Sequence, residues 1–475
     1  MVRGVSSVLA ALATAVTAFQ HFNSMDNLAA SIKAQSPQTE EPSATELFFD
    51  KQLLDHADDA KGGKPKYWSH RYFVNNAYYK GAGSPVFLYI EGEDPADPFW
   101  ISKHRFYGRS QPLPDWTVES LKYLTMRQAV DDIAHFQDFL IESRNLTKDS
   151  KWVTFGGSYP GQITAYTKLF YPKRFAGAVA SSATIDLITD YPGYADSMAY
   201  LMKEKGGQSC LNTLREGLKA FHGIIESNKT EDQATLKRLF NPCDAIANDR
   251  DKAVLEASVF YRFRAIVQSN DPDLYNVESV YTDLNAQNGL TPLEKVAKVN
   301  ARSFSKFFNC TGSNYESNYL GMYSGTESDD TNSLRQYQWT MCLEAGGAQT
   351  TPGSSSPFNE LEYMTLDNLW YSLCKDAYGL SRERVDASMK KSQEYFQGLH
   401  PNVKNVVFSG GSYDPWRGLI LNNSSVLRHN SSKVVYIEGG AHCGDMIIRP
   451  STNTASMAWA RQAIEAKVRE FVGLY

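Results

Sequence analysis

Trp152-Val153-Thr154-Phe155 runs into Gly156-Gly157-Ser158-Tyr159-Pro160-Gly161, and a helical period follows over residues 163–170. A short apolar run bounded by glycines and leading into a helix has the pattern of a buried strand in a parallel sheet. Four further runs repeat the signal: Pro85-Val86-Phe87-Leu88-Tyr89-Ile90, Phe175-Ala176-Gly177-Ala178-Val179-Ala180, Lys404-Asn405-Val406-Val407-Phe408 and Lys433-Val434-Val435-Tyr436-Ile437. Helical periods lie over residues 126–140 and again at Met457, Trp459, Ile464, Val468 and Phe471. Strands alternating with helices predict an α/β fold, with a mostly parallel sheet covered by helices on both faces.

The chain has 475 residues, too many for one small domain and suited to a large α/β core carrying an insertion. Residues 187–384 are polar helical patterns without a buried-strand run, and they hold five of the six cysteines. They predict a mainly helical cap with disulfides, inserted between core segments 47–186 and 385–475. With 42% hydrophobic residues the chain has enough apolar surface to offset its conformational entropy, which excludes global disorder.

Arg3 precedes an apolar run ending Val16-Thr17-Ala18, which predicts a secretory signal peptide over residues 1–18, followed by a flexible lead-in over 19–46. No later stretch approaches the ~20 apolar residues of a membrane span. Cys210, Cys243, Cys310, Cys342, Cys374 and Cys443 allow up to three disulfides in an oxidising compartment, with the pairing open. The chain lacks the CxxC and HExxH spacings, so no metal or other cofactor is expected. Glycosylation triplets begin at Asn145, Asn228, Asn309, Asn422, Asn423 and Asn430. A net charge of −5 without a basic cluster gives nucleic acid or an anionic membrane no electrostatic footprint.

The tetrapeptide Gly-Gly-Ser-Tyr occurs twice, ending at Tyr159 and at Tyr413. Ser158 stands where a strand turns sharply into a helix, the setting that presents a nucleophile at the C-terminal edge of a sheet. The second copy leads into Asp414-Pro415-Trp416, where the carboxylate is the reactive candidate. Asp414 follows the run at 404–408 and His442 follows the run at 433–437, giving the order Ser, acid, His that such a hydrolase requires. His442 would then take the Ser158 proton while Asp414 fixes its tautomer.

These residues, with Phe49-Asp50-Lys51-Gln52-Leu53, His70-Arg71-Tyr72-Phe73, His104-Arg105-Phe106-Tyr107-Gly108 and Ser181-Ser182-Ala183, resemble the family of prolyl carboxypeptidase, dipeptidyl peptidase II and thymus-specific serine peptidase. The resemblance implies an α/β-hydrolase core under a helical cap, and cleavage of short peptides on the carboxyl side of proline near a chain terminus. It implies Ser158 as nucleophile, Asp414 as acid and His442 as base, a Tyr159 backbone N–H in the oxyanion hole, and Trp416, Gln162 and Glu93 at the substrate. His56 and His104 look like scaffold histidines. Only residues 94–103 separate Glu93 from His104, where the resemblance calls for a helix and a strand, so either the core has lost both or the sequence lacks a segment that a working enzyme has. An esterase or lipase shares triad and fold, and a secreted peptide-binding homologue without chemistry is a third reading. Secretion is expected, with a vacuole or lysosome as the alternative destination. Oligomeric state stays open, a dimer among the options.

Overall fold

The computed structural model describes residues 45–474, except 60, 78, 93–100, 103, 148, 303–309 and 331. The predicted signal peptide, most of the lead-in, Glu93 and Asn309 therefore lie outside the described residues. The strands are β1 (Thr45–Leu53), β2 (Tyr67–Val74), β3 (Val86–Ile90), β4 (Ile101–Ser102), β5 (Trp152–Gly157), β6 (Gly177–Ser181), β7 (Val406–Gly411) and β8 (Lys433–Ile437). They form one sheet in the order β1-β2-β4-β3-β5-β6-β7-β8. β4, β3 and β5 to β8 run parallel, whereas β1 and β2 are antiparallel. All five predicted strands are present. In the short stretch before His104 the described residues include a two-residue strand, β4, pairing β3 on one side and β2 on the other.

The core helices are α1 (Met126–Ser143), α2 (Tyr159–Phe170) and, at the C-terminal end, Ala455–Val472. The strand period of two sorts side chains between the faces. Trp152, Ala178, Ala180, Val406 and Phe408 join the apolar cluster that includes Met126, Val130 and Ile133 of α1 and Ile163 of α2. Val153, Phe155, Val179, Val407 and Val435 join Met457, Ile464 and Val468 of the C-terminal helix. Every residue of β6 and β7 is buried, as a two-sided sheet demands.

Between β6 and β7 the chain is helical: α3 (Gly193–Glu226), α4 (Thr230–Phe240), α5 (Asp249–Ser269), α6 (Val277–Asn285), α7 (Pro292–Arg302), α8 (Leu334–Thr340) and α9 (Arg382–Phe396) are its longer elements. The first five close on an apolar core of their own. Tyr337, Trp339, Cys342, Val385 and Phe396 instead pack with α1 and α2. The fold is thus an α/β-hydrolase core with a helical insertion seated on it.

Disulfides join Cys243 to Cys310 and Cys342 to Cys374. Cys210 and Cys443 stay free and buried, so the even count does not yield a third bridge among the described residues. The reason is location: Cys210 lies on α3, while Cys443 packs against Gly157 in the sheet core. Asn145, Asn228, Asn423 and Asn430 are exposed, and Asn422 is half-buried.

One contact between the insertion and the core predicts a pH response. Glu344 accepts the backbone N–H of Met126, the first residue of α1, at 2.6 Å. Burial pushes its carboxyl up to about 7 from an ordinary 4.5, against the pull of that N–H. A folded-state pKa raised in this way contributes stability that is complete below pH 4.5 and is lost as pH rises through about 7. Thermal unfolding should therefore show the protein losing on the order of 2 kcal/mol between pH 5 and pH 8, and Glu344→Gln should flatten that slope. An unchanged slope in the variant contradicts the assignment.

Candidate active site

Gly156 and Gly157 let β5 meet α2 head-on. A Cβ at Gly156 would lie 2.4 Å from Thr164 Oγ1 and 2.5 Å from the Pro160 carbonyl oxygen, and one at Gly157 would lie 2.6 Å from Met446 Sδ. The chain turns at Ser158, the N-cap of α2, with φ 58° and ψ −126°. This left-handed conformation is costly for a residue with a Cβ, and it is the strain expected of a nucleophile presented on a sharp strand-to-helix turn. The Ser158 N–H donates to the Ser181 carbonyl at 2.8 Å, and its own carbonyl accepts from Gln162. α2 begins four residues before the predicted Ile163, because Pro160 is tolerated in a first helical turn.

Asp414 and His442 follow the ends of β7 and β8, which lie beyond β6 along the sheet. Ser158 Oγ lies 2.9 Å from His442 Nε2, and His442 Nδ1 lies 2.9 Å from each Asp414 carboxylate oxygen. Asp414 is fully buried and also accepts the Trp416 N–H at 2.9 Å. The carboxylate requires the proton on Nδ1, which leaves Nε2 as an acceptor facing the serine hydroxyl. Burial opposes a charge on His442, but the Asp414 carboxylate overrides it and holds the imidazole well above its ordinary value. Such a set can draw a proton from a hydroxyl, hold it and return it.

A close approach fixes the distance between the two strand ends. A Cβ at Gly411 would fall 1.9 Å from the Gly440 carbonyl oxygen, so the turns carrying Asp414 and His442 touch backbone to backbone. Asp445 anchors the histidine turn from below: it accepts the Ser181 and Ser409 hydroxyls from β6 and β7. The second Gly-Gly-Ser-Tyr has a different task. Ser412 Oγ accepts the Gly439 N–H at 2.8 Å and donates to Glu438, tying the ends of β7 and β8.

Tyr159 is the first residue of α2, at the positive end of the helix dipole. Its ring is buried, and its hydroxyl lies 3.0 Å from His104 Nε2. His104 Nδ1 donates to the Arg105 carbonyl at 2.8 Å, which leaves Nε2 to accept from Tyr159. Burial pushes the His104 imidazole down to about 4, so it stays neutral in this role. Arg105 in turn donates twice to Asp132 at 2.6 Å, and His56 reaches the same carboxylate at 2.8 Å. His56 is thus part of the scaffold, whereas His104 touches the residue next to the proposed nucleophile, a contact the sequence does not reveal.

The other expected substrate contacts divide. Trp416 is buried, donates its indole N–H to Gln268 Oε1 at 3.1 Å, and stacks on Tyr191 with centroids 5.9 Å apart. With Tyr337, Met341 and Gly347 it lines a pocket whose other described walls all come from the insertion. Gln162 is buried too, but its amide is held by Thr184 at 2.6 and 2.7 Å, and it is not among the residues lining that pocket. Glu93 lies outside the described residues. Its neighbour Gly92 passes directly over the turn, where a Cβ would lie 2.4 Å from Pro160 Cγ. Among the described residues no group of three His, Cys, Asp or Glu side chains is arranged to hold a metal ion, and no helix is long and apolar enough to cross a membrane.

The chain is similar to mouse thymus-specific serine protease (27% identical, 85% of this chain and 83% of that one). It is also similar to a Caenorhabditis elegans protein that carries a serine-protease name (28%, 87% and 85%). An Arthroderma benhamiae protein named as an extracellular serine carboxypeptidase is 23% identical over 85% of this chain and 63% of its own. The family described as Serine carboxypeptidase S28 matches residues 52–464, nearly the whole of the described chain. The protein is a member of that family of serine peptidases.

Proposed function

We propose that the protein cleaves short peptides on the carboxyl side of proline near a chain terminus, through an acyl-enzyme on Ser158. The observation that carries this reading is the unbroken line Ser158 Oγ, His442, Asp414, with 2.9 Å at each step and a nucleophile held in a strained turn. His442 takes the hydroxyl proton as Ser158 attacks the scissile carbonyl, then passes it to the departing amine. Water, activated by the same imidazole, releases the acyl group. Asp414 keeps the tautomer and offsets the imidazolium charge. The Tyr159 backbone N–H, at the positive end of α2, supports the developing oxyanion.

Trp416, flanked by Tyr191 and Tyr194, offers a flat apolar face suited to a proline ring. Secretion is part of the proposal. It is supported by the apolar leader, the two disulfides, the exposed glycosylation triplets and the name of the fungal relative. A peptide-library digest read by mass spectrometry tests the reading. Cuts one residue or dipeptide from an end, with proline before the scissile bond, are expected. Turnover of p-nitrophenyl esters without any peptide cleavage contradicts it and favours an esterase.

A further inference from the structure

Ser181-Ser182-Ala183 is among the motifs that carry the family resemblance, and the reaction as described uses none of its side chains. Ser181 ends β6 and Ser182 follows it, between β5, which leads to Ser158, and β7, which leads to Asp414. Both serines are buried.

Backbone strain singles out the same place. Among the described residues nine non-glycine positions have positive φ, and four of them are asparagines, which tolerate this conformation. Of the other five, three surround the triad: Ser158 at 58°, Ser182 at 45° and Cys443 at 52°. Hydrogen bonds join them. The Ser158 N–H donates to the Ser181 carbonyl at 2.8 Å, the Ser182 N–H to the Ser409 carbonyl of β7 at 2.7 Å, and the Cys443 N–H to Ser182 Oγ at 2.9 Å. Strained residues persist only where their surroundings enforce them, and they gather where function uses the strain.

The last of these bonds bears on the imidazole. His442 is carried between two amide N–H groups: its own donates to the Gln268 carbonyl at 3.3 Å, and that of Cys443 donates to Ser182 Oγ at 2.9 Å. The second bond is the shorter, and it ends on the neighbour of the residue that holds the nucleophile's N–H. Ser158 and His442 are thus tied through one connected path, from the Ser158 N–H to Ser181, on to Ser182 and across to the Cys443 N–H. Cys443 is only 1% exposed, so without the Ser182 hydroxyl this N–H would be buried with no acceptor. A buried donor in that condition costs more than the bond itself contributed. The turn would shift to find another acceptor, and the imidazole would shift with it.

We propose that Ser182 is a positioning residue for His442, holding the imidazole within reach of Ser158 Oγ through the Cys443 amide. The inference rests on the triad reading and deepens it. Ser182 acts through the backbone, so it needs no contact with the substrate.

The experiment uses two substitutions in the full-length protein. Ser182→Ala removes the hydroxyl and keeps a Cβ at the strained φ, whereas Ser182→Gly removes both. Each is compared with the wild type by hydrolysis of acetyl-Ala-Pro-Phe, by the rate of fluorophosphonate labelling and by thermal midpoint. In both variants kcat is expected to fall roughly 10- to 100-fold, the loss for a reacting group misplaced by up to about 1 Å, and labelling should slow by the same factor. KM should change less than about three-fold, because substrate binding is not what is lost. Ser182→Gly should melt above Ser182→Ala, so equal kcat losses at unequal stability separate positioning from folding. Made in Asp414→Asn, either substitution should cost only a few-fold more, because groups that act through one imidazole are not additive.

A folded variant whose kcat stays within about three-fold of the wild type overturns the proposal, since a shifted imidazole costs more than that. So does a loss confined to KM, or the full loss repeated in Asp414→Asn. Failure of both variants to fold assigns Ser182 to the scaffold and contradicts the proposal too. If the label is taken but the peptide is not cut, the substrate reading fails and the labelling rates decide for or against Ser182. A wild type that takes no label contradicts the triad itself, and the positioning role falls with it.

Discussion

Ser158→Ala should lower kcat by roughly 10⁶-fold, the loss seen when a triad nucleophile is removed, leaving only the residual effect of oxyanion donors and binding. The magnitude follows from the geometry. His442 Nε2 has Ser158 Oγ as its acceptor-side partner at 2.9 Å, and without the hydroxyl no group stands there to be acylated. Stability should hardly change, because alanine keeps the Cβ and with it the strain of a φ of 58°. Ser158→Gly separates the two effects: it should be equally inactive yet more stable by about 1 kcal/mol, since glycine adopts this conformation freely. Thermal midpoints of the three proteins measure the second effect, and peptide turnover the first. Activity retained in Ser158→Ala, or a Ser158→Gly protein less stable than wild type, would contradict the role of the turn.

Asp414→Asn should lower kcat by about 10⁴-fold with little change in KM. The Trp416 N–H already occupies one oxygen at this position, at 2.9 Å. An asparagine that keeps that bond turns its NH₂ toward His442 Nδ1. The imidazole must then carry its proton on Nε2, pointing at Ser158, and it no longer accepts the hydroxyl proton. The pH profile should move as well. Burial alone favours neutral His442, and Asp414 is the largest of the groups that lift its pKa, with Cys443 beside it adding to the rise. In the wild type kcat/KM falls as pH drops through that raised value, because the base must be neutral. In Asp414→Asn the residual activity should persist to lower pH, and an acid limb in the same place would argue that Asp414 does not act on the imidazole.

The parts of the structure that could be read from the sequence are those in which burial is complete. β5, β6 and β7 lie in the middle of the sheet and are covered on both faces, so their composition alone marks them. Ser158 and Asp414 follow runs of that kind, and His442 follows β8, an edge strand only partly buried but still a short apolar run; strand ends of one parallel sheet share an edge. β1 and β2 carry no such mark. β1 mixes exposed and buried positions and breaks register between Phe49 and Gln52, so neither period dominates. β4 has two residues, too few to leave a pattern.

Contacts that arise only from tertiary packing were also hidden. His104 sits in a motif resembling scaffold in sequence, yet packing brings its imidazole to the Tyr159 hydroxyl. Gln162, placed at the substrate by resemblance, turns instead to Thr184 beside β6. Cysteine count could not foresee that Cys210 and Cys443 belong to different cores.

The central claim is that Ser158, and not the serine of the second Gly-Gly-Ser-Tyr, is the reacting group. Fluorophosphonate treatment of the folded protein, followed by tryptic mass mapping, tests it most directly. The tryptic peptide spanning residues 152–168 contains Ser158 as its single serine, and Ser412 falls in the peptide spanning 405–417. The adduct is expected on 152–168 and nowhere else. An adduct on 405–417, or none on folded protein, contradicts the account.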